Sequence, residues 1–334
     1  MKKFKTLGEL LQNQSNDYSQ AERMFKSKTG EDLVSVENFK NHRFIQRSLT
    51  IVIPYYNSKN AVVQTLESLK RQKGADFQKL EVIIIDDGSE TYPFETKEQF
   101  PFSLKVIRLN KNMGRVRIRN IGLLIAENYI LMFLDSDSVL HERVLYNHIL
   151  VHSLLHKEKL LLVGYREWIG RNDKRVGRFP VKIDDVDLHS DFRIKVTFEE
   201  KHLPYINNDV SWLGKMLCVA KETNFYKDLG NAKKYKFYSL PEQVHGFLYS
   251  LPRKLALKAG PVPETQKGWG SDDILLSARF IGAGAQVVPM LNSRALHLYN
   301  IDNMESETQR IAEREINRKL YQELMDTPFI EFER

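Results

Sequence analysis

The chain has 334 residues, 42% of them hydrophobic, a formal net charge of +7 and one cysteine. That length gives one large domain or two smaller ones with a substantial buried core. The lone Cys218 excludes an intrachain disulfide and a cysteine-built zinc site, and the basic balance favours anionic partners without choosing among nucleotides, anionic lipid and nucleic acid.

Zinc-finger spacing and an RNA-binding aromatic signature are both missing, so no nucleic-acid partner is expected. The opening Met-Lys-Lys-Phe-Lys-Thr has no apolar stretch behind it and does not read as a secretory signal. No apolar run approaches the ~20 residues of a membrane span. The expectation is a cytoplasmic protein, with peripheral association at the inner face of a membrane left open.

In chain order, residues 1–48 are polar and mixed in charge, and Leu7, Leu10 and Leu11 have helical spacing, which predicts a helical N-terminal extension. Leu49–Pro54 is a β-branched strand. Ser58 or Asn60 can cap the helix that follows, whose apolar face is Val62, Leu66 and Leu69, and Gly74 suits its end. Leu80–Asp86 is a second apolar strand, running into Asp87-Gly88-Ser89. Residues 90–103 read as a loop, Leu104–Leu109 as a third strand, Asn110–Gly114 as a turn, and Ile121, Leu124 and Ile125 mark the next helix.

Tyr129-Ile-Leu-Met-Phe-Leu then runs straight into Asp135-Ser-Asp137. A short continuous apolar run fits a strand buried on both faces. Its interior cannot hold two unpaired carboxylates, so they sit at its carboxyl end, where open α/β sheets bind ligands. Residues i and i+2 of an extended chain face the same side. Asp135 and Asp137 can therefore meet one ligand, and a hard divalent cation suits them. A solvated Asp-Ser-Asp turn is the plain alternative.

In the second half, Val144–His156 reads as a helix and Leu160–Tyr165 as a strand, and residues 171–240 are charged and irregular. Val244–Tyr249 is expected as a strand. Gly268-Trp269-Gly270-Ser271-Asp272-Asp273 leads into a helix near Ile274, with both carboxylates in its first turn. Gln286–Pro289 and Arg294–Tyr299 read as two short strands, and residues 304–325 as a polar terminal helix. Strand alternating with helix predicts an α/β fold with a Rossmann-like, mainly parallel sheet flanked by helices.

Ile51-Val-Ile-Pro-Tyr-Tyr-Asn57, Ile85-Asp-Asp-Gly-Ser89, Asn112-Met-Gly114 with Arg119-Asn120-Ile-Gly122, Leu134-Asp-Ser-Asp137 and Gly268-Trp-Gly-Ser-Asp-Asp273 occur in that order. Together they resemble a family 2 glycosyltransferase of the GT-A fold. The last segment is similar to one in galactosyltransferases and chondroitin-type polymerases, with Asp272 where the family often has Glu. The resemblance covers about residues 49 to 300. It implies a GT-A domain over 49–300, with a nucleotide-sugar half 49–140 and an acceptor half 141–300; the helical N-terminal extension 1–48 and the helical C-terminal segment 301–334, read from the sequence pattern, lie outside it.

The resemblance further implies inverting, metal-dependent transfer of a sugar from a UDP-linked donor to a glycan, lipid-linked saccharide or peptide. Asp137 is the expected direct ligand of Mn2+ or Mg2+, with Asp135 acting through water or the ribose. His297, in a region where relatives have a metal-binding histidine, is a third candidate ligand; a surface or core histidine is its alternative. Pro54, Tyr56, Asn57, Asp87, Arg115, Arg119, Asp135 and Trp269 would hold the nucleotide sugar. Asp87 would accept from a uracil N–H, or else turn the chain. Arg115 and Arg119 share a helix face, which is alternatively a solvated basic face. Trp269 would stack on a sugar or pack at the helix start. Asp273 would be the general base, and Asp272 would hold an acceptor hydroxyl.

The basic stretch Arg171–Arg178 is read as a solvated loop before an anion site, and Tyr226, Tyr235, Phe237 and Tyr238 as packing residues before a groove. Two other functions compete. A sugar-phosphate nucleotidyltransferase expects a glycine-rich loop after the first strand, where Pro-Tyr-Tyr-Asn-Ser stands instead. A non-catalytic carbohydrate-binding or scaffold subunit on the same fold sits poorly with the full set of carboxylates.

Overall fold

The computed structural model describes residues 5–37, 40–90, 99–170, 172–191, 193–197, 216–218, 226–227, 240–266, 268, 270–298 and 307–332. The first half contains α1 (Leu7–Asn13), α2 (Ser19–Thr29), β1 (Leu49–Tyr55), α3 (Lys59–Lys70), β2 (Leu80–Asp86), β3 (Ser103–Arg108), α4 (Arg115–Ile125) and β4 (Ile130–Leu134). Then follow β5 (Ser138–Leu140), α5 (Val144–Leu154), β6 (Leu160–Ile169), β7 (Lys195–Thr197) and β8 (Met216–Cys218). The chain closes with β9 (Leu248–Pro252), α6 (Arg253–Ala259), α7 (Asp272–Gly282), β10 (Gln286–Leu298) and α8 (Glu307–Met325).

Eight strands form one sheet in the order β3-β2-β1-β4-β9-β6-β10-β5. β1 is parallel to β2 and β4, and β2 to β3. Ile51 and Ile53 of β1 face one core with Val62, Leu66 and Leu69 of α3, while Val52 faces the other with Ile118 and Leu123 of α4. Burial on both faces is why these strands read as unbroken apolar runs. Past β4 the sheet is mixed. β9 is inserted antiparallel between β4 and β6, β6 and β10 are parallel, and β5 is antiparallel to β10.

Three local expectations need correction. The strand expected at Val244–Tyr249 begins only at Leu248, because His245 adopts φ +39° and the Gly246 N–H is taken by Asp273. The two strands expected over 286–299 are one, β10, whose pairing with β6 shifts register between Pro289 and Arg294. A bulge of this kind reads as a loop in sequence. Ser58 precedes α3 but does not cap it; its Oγ lies 3.0 Å from Ser136 Oγ.

Both terminal additions pack into the main core. Leu7, Tyr18, Phe25 and Leu33 join the cluster that holds α4 and α7. The Leu7 N–H donates to Thr327 O and the Phe329 N–H to Lys5 O, so the two ends are paired. Asn16 is fully buried beside β10. Its Nδ2 donates to Val287 O at 2.9 Å and its Oδ1 accepts from Val287 N at 2.7 Å, so one amide satisfies strand groups left open there.

α5 buries His148 and His152 against Ser250, whose hydroxyl lies 2.7 and 2.9 Å from their rings. Burial holds both imidazoles at about 3, far below the ordinary 6.5. The folded state excludes protons that the unfolded chain takes up below that ordinary value. Their contribution is therefore complete above it and falls as pH drops toward the folded value, by up to ~1.4 kcal/mol per pH unit for each histidine. The melting temperature is expected to fall from about pH 6.5 downward, and a His148→Gln/His152→Gln variant to lose much of that slope. A wild-type melting temperature that stays level to about pH 5 would contradict this account.

Candidate active site

The site lies at the carboxyl edge of β1, β2 and β4. Asp135 ends the β4 run, and Asp137 leads directly into β5. Because β5 is antiparallel to β10 with Ser138 opposite His297, and the Leu298 N–H donates to Asp137 O at 2.8 Å, the register itself brings His297 to the two carboxylates. His297 Nε2 lies 3.4 Å from Asp137 Oδ1 and 3.8 Å from Asp135 Oδ2. One ligand atom from each residue lies within 4.8 Å of the others.

Burial would raise both carboxyl groups. For Asp135 the neighbouring His297 imidazole and the Arg119 charge prevail and hold it well below the usual carboxylate range. For Asp137 burial prevails, with Asp135 adding repulsion, and it is pushed up. Asp137 Oδ1 is buried without a hydrogen-bond donor. Such an atom calls for an explanation, and two carboxylate oxygens with an imidazole suit Mn2+ or Mg2+.

Arg119 is the hub beneath. It is buried; its Nη2 donates to Asp135 Oδ1 at 2.9 Å, its Nε to Asp272 Oδ2 at 3.0 Å and its Nη1 to Gly246 O at 3.3 Å. Burial alone would favour its neutral form, but the two carboxylates keep it firmly protonated. It is therefore no solvated basic face. Asp272 is buried in this ion pair, with its own carboxyl raised by burial, so the geometry gives it a structural partner in place of the expected acceptor hydroxyl.

Asp273 is partly exposed. Its Oδ2 accepts from Gly246 N at 2.8 Å and its Oδ1 from Ile274 N at 2.9 Å. A Cβ at Gly246 would stand 2.6 Å from Asp273 Cβ, so only glycine lets the two segments approach. Among the described residues, the non-glycine backbones with left-handed φ are Asn57 (47°), His245 (39°) and Ser271 (65°). They lie after β1, before β9 and before α7, around the site, where such conformations concentrate.

The nucleotide side is less uniform. Asp87 Oδ1 accepts from Met113 N at 2.6 Å and its Oδ2 from Gly114 N at 2.9 Å. Burial raises its carboxyl. The geometry thus favours the chain-turning role at the start of α4 over the reading of a base. Asn57 bridges β1 to β2, its N–H donating to Ser89 Oγ and its Oδ1 accepting from Glu90 N. Pro54, one residue before the end of β1, is half-buried, Tyr56 just beyond β1 is exposed, and Arg115 opens α4 near enough to act on both Asp135 and Asp137. Trp269 lies outside the described residues, as do Arg171, Tyr235, Phe237 and Tyr238. Tyr226 is fully buried, its hydroxyl accepting from Tyr165 OH at 2.9 Å, so it lines no groove.

In the basic loop, Arg175 is locked by Glu167 and Asp173 at 2.7 Å each. With Lys174, Arg178 and Asp184 it lines a cavity of about 440 Å3 that also touches Leu296. Leu296 and His297 face opposite sides of β10, which separates this cavity from the carboxylates. Two residues that the sequence reading passed over do reach the site. Trp168 is half exposed, with its ring centroid 4.0 Å from that of His297. Arg166 lies over the Trp168 and Phe247 rings. The alternation in Tyr165-Arg-Glu-Trp168 was their one visible signal.

The mixed sheet with flanking helices is the GT-A glycosyltransferase fold. A crystal structure of GalNAc-T7 with UDP, GalNAc and Mn2+ shares it, at a TM-score of 0.51 and 16% identity over 83% of this chain and 50% of that one. Residues 50–176 match the family described as Glycosyl transferase family 2. The chain is 35% identical over 96 residues to a teichoic acid poly(glycerol phosphate) polymerase of Staphylococcus epidermidis, covering 28% of this chain and 13% of that protein. It is 33% identical over 101 residues to the poly(ribitol-phosphate) beta-N-acetylglucosaminyltransferase TarS of Staphylococcus aureus, covering 29% of this chain and 17% of TarS. The chain thus spans less than a fifth of the length of either relative. Among the described residues, no helix is long and apolar enough to cross a membrane.

Proposed function

We propose that this protein is a divalent-metal-dependent, inverting glycosyltransferase. It moves a sugar from a UDP-linked donor to a hydroxyl of a glycan, lipid-linked saccharide or peptide. The observation that carries this reading is the Asp135–Asp137–His297 cluster at the strand edge, joined through Arg119 to the Asp272-Asp273 segment. Asp137, His297 and Asp135 would hold Mn2+ or Mg2+, and one imidazole among the ligands favours Mn2+. When bound, that ion neutralises charge developing on the departing diphosphate. Arg119 fixes the Asp135 carboxylate by an ion pair. Pro54, Tyr56, Asn57 and Arg115 border the donor, and Asp273 takes the proton of the attacking hydroxyl. The names of the two relatives, a poly(glycerol phosphate) polymerase and a poly(ribitol-phosphate) N-acetylglucosaminyltransferase, support a polyol-phosphate acceptor for this chain too.

The test is hydrolysis and transfer from a panel of nucleotide sugars with and without Mn2+. A UDP-sugar should be turned over only with the divalent ion, and GDP- and CDP-sugars far more slowly. Turnover that is indifferent to chelation would remove the metal from the proposal. No turnover of any donor, with UDP failing to bind, would favour a non-catalytic subunit.

A further inference from the structure

β6 carries two side chains toward the site that the donor and the metal do not use. In the β6–β10 register Trp168 stands opposite His297 and Arg166 opposite Ala295, so both point to the side of the carboxylates. Trp168 is 51% exposed, near the end of a strand whose first six residues are buried. A large aromatic left half in water next to a reactive centre offers a flat apolar face with a polar edge. Arg166 is wedged between two rings, with its Cζ 4.6 Å from the Trp168 centroid and 4.9 Å from that of Phe247.

The charge around Arg166 does not balance. The nearby buried carboxylate, Asp191, is taken by Arg193, whose Nε and Nη2 donate to its two oxygens at 2.9 and 2.7 Å. Only the backbone N–H of Arg166 reaches Asp191, at 3.0 Å. Among the described residues the Arg166 guanidinium has no hydrogen bond and no carboxylate within ion-pair distance. Arg193 repels it, and it feels Asp191, already paired with Arg193, and then Asp135 and Asp273 only through space. A largely desolvated cation with its donors unspent gains much from a hydrogen-bonded anion. It stands on β6, separated from β1, β2 and Arg115 by β4 and β9, and so on the acceptor side of the cluster.

We propose that Arg166 and Trp168 form an acceptor subsite for a phosphate-bearing polyol or glycan, the indole covering its carbon chain or sugar face and the guanidinium holding its phosphate. Given the proposed transferase reading, on which this rests, the Arg166 anchor lies near both Asp135 and Asp273. A hydroxyl a few bonds from the phosphate then reaches the base. Anchoring the part of the acceptor that does not react is a recognised use of binding energy.

The experiment uses the full chain with UDP and Mg2+ and measures binding of glycerol 3-phosphate and of glycerol by saturation-transfer NMR. The wild type should prefer glycerol 3-phosphate by at least about tenfold, with the preference shrinking as salt rises. Arg166→Gln should collapse the preference toward one, Arg166→Lys should keep part of it, and Trp168→Ala should weaken both ligands. A melt of each variant separates loss of binding from loss of fold, and Arg166→Lys carries the test if Arg166→Gln does not fold. Equal binding of the two ligands by the wild type, or an unchanged preference in Arg166→Gln, would overturn the subsite. So would a loss of UDP affinity in Arg166→Gln as large as its loss of glycerol 3-phosphate, since the arginine would then serve the donor. Failure of the transferase reading shows separately, as absent UDP-sugar turnover in the wild type.

Discussion

Asp137→Asn is expected to reduce transfer by at least ~10²-fold and to abolish the effect of divalent ions on UDP binding. Asp137 shares a half-buried space with Asp135, and the two repel each other; its Oδ1 has no hydrogen-bond donor. Asparagine keeps the shape and removes the charge. Without an ion, the variant should therefore melt no lower than the wild type. With Mn2+ the wild type should gain stability through ligand linkage, by about 2.7 kcal/mol at a hundredfold excess over Kd. The variant should gain little. A titration of melting temperature against Mn2+ in both proteins checks this independently of turnover. Equal gains in both would mean that Asp137 is not a ligand, and UDP affinity unaffected by metal in the wild type would dismantle the site.

The parts of this arrangement that could be read in advance are those written contiguously. Apolar runs ending in Asp86-Asp87 and Asp135-Ser-Asp137 announce buried parallel strands with carboxylates at one edge, because burial on both faces leaves the charges nowhere else to go. His297 could be placed near Asp135 and Asp137 only through resemblance; the cause is the pairing of Ser138 with His297 across β5 and β10, which no local pattern encodes. The Arg119–Asp272 bond joins residues 153 positions apart, and either residue alone looks like a solvated helix-start charge. β9 was misplaced for a related reason. Val244 and Phe247 are as buried as strand residues, but they belong to a turn held by Asp273 and Arg119. The Arg166 charge was invisible because what matters is that Arg193 has already taken Asp191, a fact of three-dimensional neighbourhood.

Asp273→Asn is expected to lower the transfer rate by ~10²–10⁴-fold, the range for loss of a general base, with only a modest loss of stability. In single displacement the acceptor attacks opposite the diphosphate, so its proton must be received away from Asp137. Asp273 comes from a different segment, at the first turn of α7, and is partly exposed where Asp272 is buried. The geometry also sets the stability cost. Both Asp273 oxygens accept backbone N–H groups, from Gly246 and Ile274. Asparagine can serve one of them and turns an NH2 toward the other, so a loss of about 1–3 kcal/mol follows from one unsatisfied donor. Asp272→Asn makes the contrast. It breaks a buried ion pair with Arg119 and should cost about 3–5 kcal/mol, because Arg119 is left partly uncompensated. The two variants thus separate the roles: a modest melt shift with a large rate loss at Asp273, and a large melt shift at Asp272. The measurement pairs thermal melts with turnover at saturating donor, and reads the product's anomeric coupling by NMR. Asp273→Asn turning over near the wild-type rate, or a product that keeps the donor's anomeric configuration, would rule out Asp273 as the base of an inverting transfer.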